Sequence, residues 1–526
     1  MLNIIQSREY GNISRLFFTT YCANLRLNIV KKILFIVFLI VPFATQAQSY
    51  FEESPLIKEA YGLIIDLQFD RARTVIQKIK KEEPQNLLVL HLDNYIDFFT
   101  IFINEEKDQF KKLEKNKEKR LDKIERDGDF KSPYYLFVQA EIELQWALAR
   151  AKFNGRFNRE VIKAGTECLS AYKLLTENQK RFPNFIANKK SLSAIHVLAE
   201  SIPGFVRKVF SIDGTIAQGT SEIEEVIKYS NENDFLYKEE AIAIYTYILF
   251  YQNNRKREAW DFLQQSDLDP VKSPLVCFLM ANMAQKIGEN DQAIELLESR
   301  PQGSDYFPFH YLEFMLGKCK LYRLDDDAVT HLSNYLSKFK GAHYIKEAHQ
   351  KLGWYELVVH NNIPKYKKYM KACQNTGNEL IDGDKQAQKE AKRNLNPHPT
   401  LLKARLLYDG GYNQRAYGVL IRNAHLFNNA SDNSLEYFYR LGRVTQSLGN
   451  PKDAIDYYNE VILKGSNSEQ YYACNAALQV ALIFEEQKDY RSARDYFNKC
   501  LDMSPSDYKN SLHQKAKSGL NRVKGK

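Results

Sequence analysis

The chain has 526 residues and a formal charge of +9, and 44% of its residues are hydrophobic. This apolar content excludes a chain that is mainly disordered, and the length exceeds what one compact core normally holds. Several domains or an extended array of repeats are therefore expected. The basic excess is weak, and no stretch concentrates it enough to indicate a nucleic acid partner.

The first 47 residues have the order of a leader followed by a secretory signal peptide. Lys31-Lys32 precedes an unbroken apolar run, residues 33–43, and small residues follow up to Ala47. We expect cleavage after Ala47, which leaves no stable membrane span and places the product in the bacterial periplasm or associated with the envelope. The apolar run is about half the length of a membrane-spanning helix, so a retained anchor is the weaker interpretation. Translation that begins at Val30 would explain the unusually long leader.

A repeated spacing runs through the rest of the chain: a small residue, an alanine twelve residues later, and a large apolar residue four residues further on. Two antiparallel helices approach closely only where small residues face each other, and large neighbours fill the remaining space. A sixth segment, with Gly317, Ala328 and Leu332, is one residue short. The five complete segments are Ala60/Ala72/Ile76, Ala281/Ala293/Leu297, Ala404/Ala416/Leu420, Gly442/Ala454/Tyr458 and Ala481/Ala493/Phe497.

These segments resemble tetratricopeptide repeats, which have a small residue at the eighth position, alanine at the twentieth and an aromatic residue at the twenty-fourth. The resemblance is good over residues 53–86 and 397–507 and fair over 274–340. Gly353 and the region around Tyr366 suggest a further, degenerate unit. The resemblance implies an all-α fold, an α-solenoid of antiparallel helix pairs in a tetratricopeptide-like superhelix.

The repeats divide the exported part of the chain into four predicted segments. Residues 48–204 form an N-terminal helical block that contains one clear repeat. Residues 205–232 form a glycine-bearing insertion or hinge, within which helical periodicity resumes at Glu222. Residues 233–507 form the main repeat array. Residues 508–526 supply the polar capping helix that a repeat array needs at its end.

Motifs that carry catalysis or bind cofactors are absent from the sequence. There is no phosphate-binding glycine loop, nucleophile elbow, H-E-x-x-H or C-x-x-C, so we predict no enzyme activity, catalytic residue, cofactor or metal. His343, His349 and His360 are spaced too far apart for a helix-borne metal site and are predicted to lie at the surface or in a groove. The cysteines are widely spread and are predicted to be core residues, with Cys474–Cys500 the one bridge left open.

The resemblance implies a function in binding, because helical-repeat arrays commonly receive a peptide or a helix along their first helices. We predict a scaffold or adaptor for a protein or peptide partner in the envelope. The alternative is a peptide- or glycan-binding protein that uses a tyrosine-rich groove directly. Solvent exposure or packing between repeats is the competing interpretation for each candidate groove residue. These candidates are Tyr439, Arg440, Arg443, Tyr472 and Gln479.

Overall fold

The computed structural model describes residues 49–153, 159–201, 212–393, 395–427 and 432–526. Within these ranges the chain forms 24 α-helices, and its one strand-like feature is an isolated bridge between Tyr50 and Asn86. The predicted all-α class is therefore confirmed. The predicted leader and signal peptide, residues 1–47, lie outside the described ranges. None of the described helices is long and apolar enough to cross a bilayer.

Eight helices precede residue 233, and the first two form a hairpin at the first predicted repeat. Ser54 starts this hairpin, because its Oγ accepts a hydrogen bond from the Ile57 amide at 3.3 Å and Pro55 takes the first helical position. The eight helices are α1 (Pro55–Ile65), α2 (Phe69–Glu82), α3 (Leu88–Asn104), α4 (Lys107–Asp127), α5 (Pro133–Phe153), α6 (Arg159–Arg181), α7 (Ala187–Ser201) and α8 (Ile216–Glu232).

Sixteen further helices follow, most of them paired by short turns. Gly449 has a φ of 80°, and Asn450 and Pro451 then cap and begin the next helix. The helices are α9 (Lys238–Tyr247), α10 (Lys256–Gln265), α11 (Pro274–Ile287), α12 (Asn290–Glu298), α13 (Tyr311–Arg323), α14 (Ala328–Lys338), α15 (Ile345–Val359), α16 (Ile363–Asn375), α17 (Asp382–Lys392), α18 (Pro399–Asp409), α19 (Asn413–Arg422), α20 (Asp432–Ser447), α21 (Pro451–Gly465), α22 (Tyr472–Glu486), α23 (Tyr490–Asp502) and α24 (Lys509–Arg522).

The small residues of the repeated spacing lie where the two helices of each hairpin cross. A Cβ added to Gly442 would lie 2.6 Å from the ring of Tyr458, the large residue sixteen positions later. A Cβ on Gly317 would lie 2.8 Å from Leu332. Gly353 faces Tyr366 in the same way, so the degenerate unit is the hairpin α15–α16. The predicted pairing of helices through small residues is therefore confirmed.

The predicted insertion at 205–232 is described only in part, because residues 202–211 lie outside the described ranges. Thr215 caps α8, which begins six residues earlier than the sequence periodicity indicates. Gly219 lies inside this helix, and a Cβ there would come within 2.5 Å of the Ser193 carbonyl oxygen on α7. This glycine therefore permits a close crossing of α7 and α8. A hinge between two helical blocks at 205–232 stays a prediction.

The hairpins do not contact one another strictly in chain order. A linear repeat array places each repeat against its sequence neighbours only. Here the Glu105 carboxylate, at the end of α3, accepts a hydrogen bond from the His343 amide at 3.0 Å. His343 is buried by this contact, so its predicted place at the surface or in a groove is wrong. Helix α18 packs against both α13 and α15, so α13 and α18 are in contact although α14–α17 lie between them in the sequence.

The cysteines within the described ranges are all free, and five of the six are buried. This agrees with their predicted role as small core residues. Cys474 and Cys500 lie on α22 and α23 with their Sγ atoms 3.5 Å apart, a hydrogen-bonding distance between two thiols. The bridge left open by the sequence is therefore not formed in this structure.

Candidate protein-interaction cleft

A cleft of about 540 Å³ lies between α15, α17, α18 and α20, and a smaller cavity of about 130 Å³ adjoins it between α18 and α20. We call these the cleft and the inner cavity. The turn before α22 and the segment before α24 complete the cleft wall. The main charged and aromatic residues of the cleft are Tyr322, Glu347, Lys351, Trp354, Asp382, Lys389, Glu390, Arg393, Arg405, Asp409, Glu436, Arg440, Tyr471, Tyr472, Asp507 and Tyr508.

The hairpin crossing itself directs side chains toward the cleft. Successive residues of an α-helix point about 100° apart around its axis. In each hairpin, the small residue of the first helix faces the second helix of the same hairpin. The residue that follows it in sequence therefore points sideways along the array. Trp354, Arg405 and Arg443 each follow such a small residue, and all three line the cleft or the inner cavity.

Arg405, like Arg440, lines both the cleft and the inner cavity. Its guanidinium lies 4.9 Å from the ring centroid of Trp354, and its Nε lies 3.6 Å from Asp409 Oδ2. Burial alone would lower the pKa of Arg405, but Asp409 and the nearby Tyr471 outweigh this effect and hold the pKa above its ordinary value. The side chain remains 41% exposed, so its charge faces the open space of the cleft.

Arg443 is held in the inner cavity by phenol groups. Its guanidinium donates to Tyr408 Oη from Nε at 3.2 Å and from a terminal nitrogen at 2.9 Å, and to Tyr439 Oη at 2.9 Å. Among the described residues, it forms no ion pair with a carboxylate. The inner cavity therefore presents a fixed positive charge that has no anionic partner in this part of the chain.

Arg440 and Glu436 form an ion pair at the boundary between the cleft and the inner cavity. Arg440 Nε donates to Glu436 Oε1 at 2.8 Å. Burial raises the pKa of Glu436, but Arg440 outweighs this effect and holds that pKa below its ordinary value. Tyr472 also hydrogen-bonds Glu436, which fixes an aromatic ring beside the pair.

The opposite side of the cleft carries a second ion pair with an aromatic neighbour. Lys351 Nζ lies 3.4 Å from Glu347 Oε1 and 3.8 Å from the ring centroid of Trp354. Burial lowers the pKa of Lys351, and Glu347 offsets part of this effect. Trp354 therefore lies between two cations, Lys351 and Arg405, and its indole nitrogen donates to Glu390 Oε1 at 2.7 Å.

The rim of the cleft is joined by ion pairs between segments that are distant in sequence. Asp507, in the segment before α24, accepts a hydrogen bond from Arg393 at 2.7 Å and contacts Lys389 of α17. Both cations are about half exposed. Such exposed pairs contribute little to stability, so this side of the rim can exchange its partners at low cost.

Cations and carboxylates are equal in number around the two spaces, at six each. A single-sign polymer such as nucleic acid would meet as much repulsion as attraction here. A polypeptide can match both signs and can stack side chains on the tyrosine and tryptophan rings. The cations are Lys351, Lys389, Arg393, Arg405, Arg440 and Arg443, and the carboxylates are Glu347, Asp382, Glu390, Asp409, Glu436 and Asp507.

The structure brings together four of the five candidate groove residues. Tyr439, Arg440 and Arg443 line the inner cavity, and Arg440 and Tyr472 line the cleft. Gln479 lies in neither lining and donates to Asn475 Oδ1 at 3.1 Å. Whether these residues bind a partner stays a prediction.

Sequence reasoning missed Arg405 and Trp354, although the signal was present. Both directly follow the small residue of a first helix, as Arg443 does. The described residues contain no group of three or more histidine, cysteine, aspartate or glutamate side chains arranged to hold a metal ion.

Paired helices that cross at small residues and share a charged, aromatic cleft define a helical-repeat protein of the interaction type. The family model for the tetratricopeptide repeat matches residues 435–463, in the hairpin α20–α21, and residues 475–507, which span most of the hairpin α22–α23 and the five residues after it. The resemblance to tetratricopeptide repeats is therefore confirmed for these two segments. No curated protein matches the chain in sequence.

Among solved structures, the chain is similar to one described as "Structure of Naa15/Naa10 bound to HypK-THB". The sequence identity is 12%, and the TM-score is 0.25. The match covers 89% of this chain and 65% of that chain, so this protein spans about two-thirds of the length of its structural neighbour. Similarity at this level transfers no property of that assembly to this chain.

Proposed function

We propose that this protein is an exported scaffold or adaptor that binds another protein in the bacterial envelope through the cleft. The observation that carries the proposal is that the first helices of three hairpins, α15, α18 and α20, all direct side chains into the cleft. Trp354 on α15, Arg405 on α18 and Arg440 on α20 place one aromatic ring and two cations along the cleft. A surface of this kind suits an extended or helical polypeptide segment. The proposal assigns no catalytic step and no cofactor.

The envelope setting is the part of the proposal that rests on the sequence alone. Lys31-Lys32, the apolar run over residues 33–43 and the small residues up to Ala47 support it. Cell fractionation followed by N-terminal sequencing tests it. A periplasmic or envelope form that begins at Gln48 is expected. A form that stays in the cytoplasm with its leader attached would overturn the setting without affecting the cleft.

Affinity capture after mild crosslinking tests the cleft as the protein-binding surface. The full chain, tagged and expressed in its own cells, is compared with a variant that carries Arg405→Glu and Arg443→Glu. The control is Arg491→Glu, because Arg491 is exposed on α23 and forms no ion pair among the described residues. We expect stoichiometric partners with the wild-type protein and the control, and at least a tenfold loss with the cleft variant. Equal capture by all three proteins would contradict the proposal.

A second candidate function is the binding of a glycan or short peptide by the tyrosines of the cleft. The ring centroids of Tyr471 and Tyr472 lie 4.6 Å apart, and those of Tyr471 and Tyr508 lie 5.1 Å apart. Aromatic faces at the mouth of a cleft suit sugar rings as well as peptide side chains. Recovery of the protein without any partner, together with saturable binding on a glycan array, would favour this function over the scaffold.

A further inference from the structure

Three lysines on neighbouring elements form a second surface that shares no residue with the cleft. Lys256 begins α10, Lys286 lies near the end of α11, and Lys318 lies in α13. Each ammonium group lies over an aromatic ring, with centroid distances of 5.8 Å to Phe250, 5.9 Å to Tyr251 and 5.7 Å to Phe314. We call these three residues the lysine patch.

The lysine patch differs from the nearby Lys320 because its three lysines form no ion pair among the described residues. Lys320, two residues after Lys318, pairs with Glu298 at 2.6 Å and Asp327 at 2.5 Å. Among the described residues, none of the three patch lysines forms an ion pair. Burial lowers the pKa of Lys286, and the charges of Lys318 and Lys256 lower it further, while the Glu347 carboxylate offsets part of this effect. Like charges held close together are unfavourable, and an external anion would relieve their repulsion.

Two tyrosines stand beside the lysine patch with their rings exposed to solvent. Tyr247 is 44% exposed and Tyr251 is 38% exposed, and their ring centroids lie 4.8 Å apart. Ile248–Gln252 is a π-helical segment, a deviation from regular helix that often marks functional positions. The Asn282 amide donates to Tyr251 Oη at 3.0 Å, so α11 holds one of the two rings in place.

We propose that the lysine patch and the tyrosine pair bind an acidic, aromatic- or aliphatic-containing segment of a partner polypeptide. The carboxylates of such a segment neutralise the three ammonium groups, and its apolar side chains pack on the exposed rings. Three cations are too few for strong binding of nucleic acid at physiological salt, where release of several counter-ions is needed. A polypeptide gains affinity from ring packing as well as charge, which favours it over a polyanion. This inference does not require that the cleft bind a protein.

Fluorescence anisotropy with model ligands tests the chemistry directly. The labelled probes are an alternating glutamate–leucine peptide, the matching glutamine–leucine peptide and a thymidine oligonucleotide of equal length. The purified full chain should bind the acidic peptide at least tenfold more tightly than the other two. Its affinity should fall as salt rises from about 50 mM to about 300 mM, because exposed charges are screened over that range. Equal binding of both peptides, or tighter binding of the oligonucleotide, would overturn the proposal.

Substitutions then locate the binding surface. Lys286→Gln or Lys318→Gln should each weaken the acidic peptide about threefold, the effect of one exposed charge pair. The triple glutamine variant should weaken binding of the acidic peptide more than tenfold. Lys286→Arg, which keeps the positive charge, should bind the peptide as tightly as the wild type. Lys499→Gln is the matched control, because Lys499 is also exposed and lies 4.2 Å from the ring of Tyr496 outside this surface. Unchanged affinity in the triple variant would overturn the assignment.

Chemical footprinting of the wild-type protein provides a readout that does not depend on variants. Acetylation of lysines is followed by mass spectrometry with and without the acidic peptide. The peptide should protect Lys256, Lys286 and Lys318 and should leave Lys499 unchanged. Protection of the cleft lysine Lys389 instead would overturn the lysine patch and would support the cleft, which distinguishes failure of this inference from failure of the proposed function.

Discussion

Asp384 is a fully buried carboxylate that joins α17 to the beginning of α15. Its oxygens accept hydrogen bonds from the amides of Tyr344 at 2.7 Å and Glu347 at 3.0 Å. The first amides of a helix have no partner within that helix, so a carboxylate from elsewhere can cap it. Burial raises the pKa of Asp384 to about 6, even though these two hydrogen bonds act to lower it.

The free energy of unfolding should therefore depend on pH through Asp384. Because its pKa in the folded protein is above the ordinary value of 3.8, the folded state binds more protons than the unfolded state between about pH 4 and pH 6. Stability from this group is complete below about pH 4 and is lost as the pH rises to about 6, by up to about 3 kcal/mol. Thermal unfolding of the wild type and Asp384→Asn over this range measures the effect. The wild type should lose stability relative to the variant, and a constant difference would contradict this assignment.

Gly442 and Gly62 place the same residue type in two different helix environments. Gly442 lies at the crossing of α20 and α21, where a Cβ would meet the Tyr458 ring at 2.6 Å. Gly62 lies inside α1, where a Cβ would meet nothing within 4 Å. The Tyr458 hydroxyl also donates to Gln446 Oε1 at 2.8 Å, so its ring cannot move away freely. The hairpin crossing therefore depends on a missing side chain at one glycine and not at the other.

Alanine at these two glycines should change stability in opposite directions. Gly442→Ala should destabilise the protein by about 1–3 kcal/mol, because the added methyl group overpacks the crossing. Gly62→Ala should stabilise it by about 0.5–1 kcal/mol, because alanine loses less entropy than glycine inside a helix. Denaturant unfolding followed by circular dichroism gives both values. Equal shifts of the same sign would show that the crossing is not the constraint described here.

The sequence predicts those elements whose buried face follows the repeat spacing. The hairpins α1–α2, α11–α12, α18–α19, α20–α21 and α22–α23 were found this way because small and large residues recur at fixed intervals. Helix α17 was not found, since its buried apolar residues are only Ala387 and Ala391 within a highly charged segment. It nevertheless forms one wall of the cleft. The cleft could be predicted only in part because α17 was not found. In addition, part of its wall comes from the turn before α22 and the segment before α24, whose positions depend on tertiary packing.

At the scale of the whole molecule, Glu105 links parts of the chain that a linear array would keep apart. Its carboxylate accepts hydrogen bonds from the amides of Ala342 at 3.1 Å and His343 at 3.0 Å, and it pairs with Lys152 at 2.9 Å. Burial raises the pKa of Glu105, but the hydrogen bond with the His343 side chain, at 3.1 Å from Nδ1, and the charge of Lys152 outweigh it and lower the pKa to about 2. No repeat spacing encodes a contact between residues 238 positions apart, so sequence reasoning could not predict it.

Loss of the Glu105 contacts should increase local unfolding both at the end of α3 and around residues 342–343. Glu105→Ala removes the acceptor of two amides and the counter-ion of Lys152, and should cost about 2–4 kcal/mol. Hydrogen exchange should increase at the end of α3 and at residues 339–346 in the same variant. Glu106→Ala is the control, because the neighbouring Glu106 is exposed. Faster exchange confined to α3 would indicate that the two segments are not coupled.

Site-specific photo-crosslinking in living cells tests most directly whether a protein partner occupies the cleft. One crosslinking residue replaces Gln386, which is exposed and lines the cleft, and a second replaces Leu463, which is 78% exposed on the second helix of its hairpin. The scaffold account predicts that position 386 yields a discrete adduct with one or two proteins, and that Arg405→Glu with Arg443→Glu abolishes it. Adducts from position 463 alone, with none from position 386, would contradict the account.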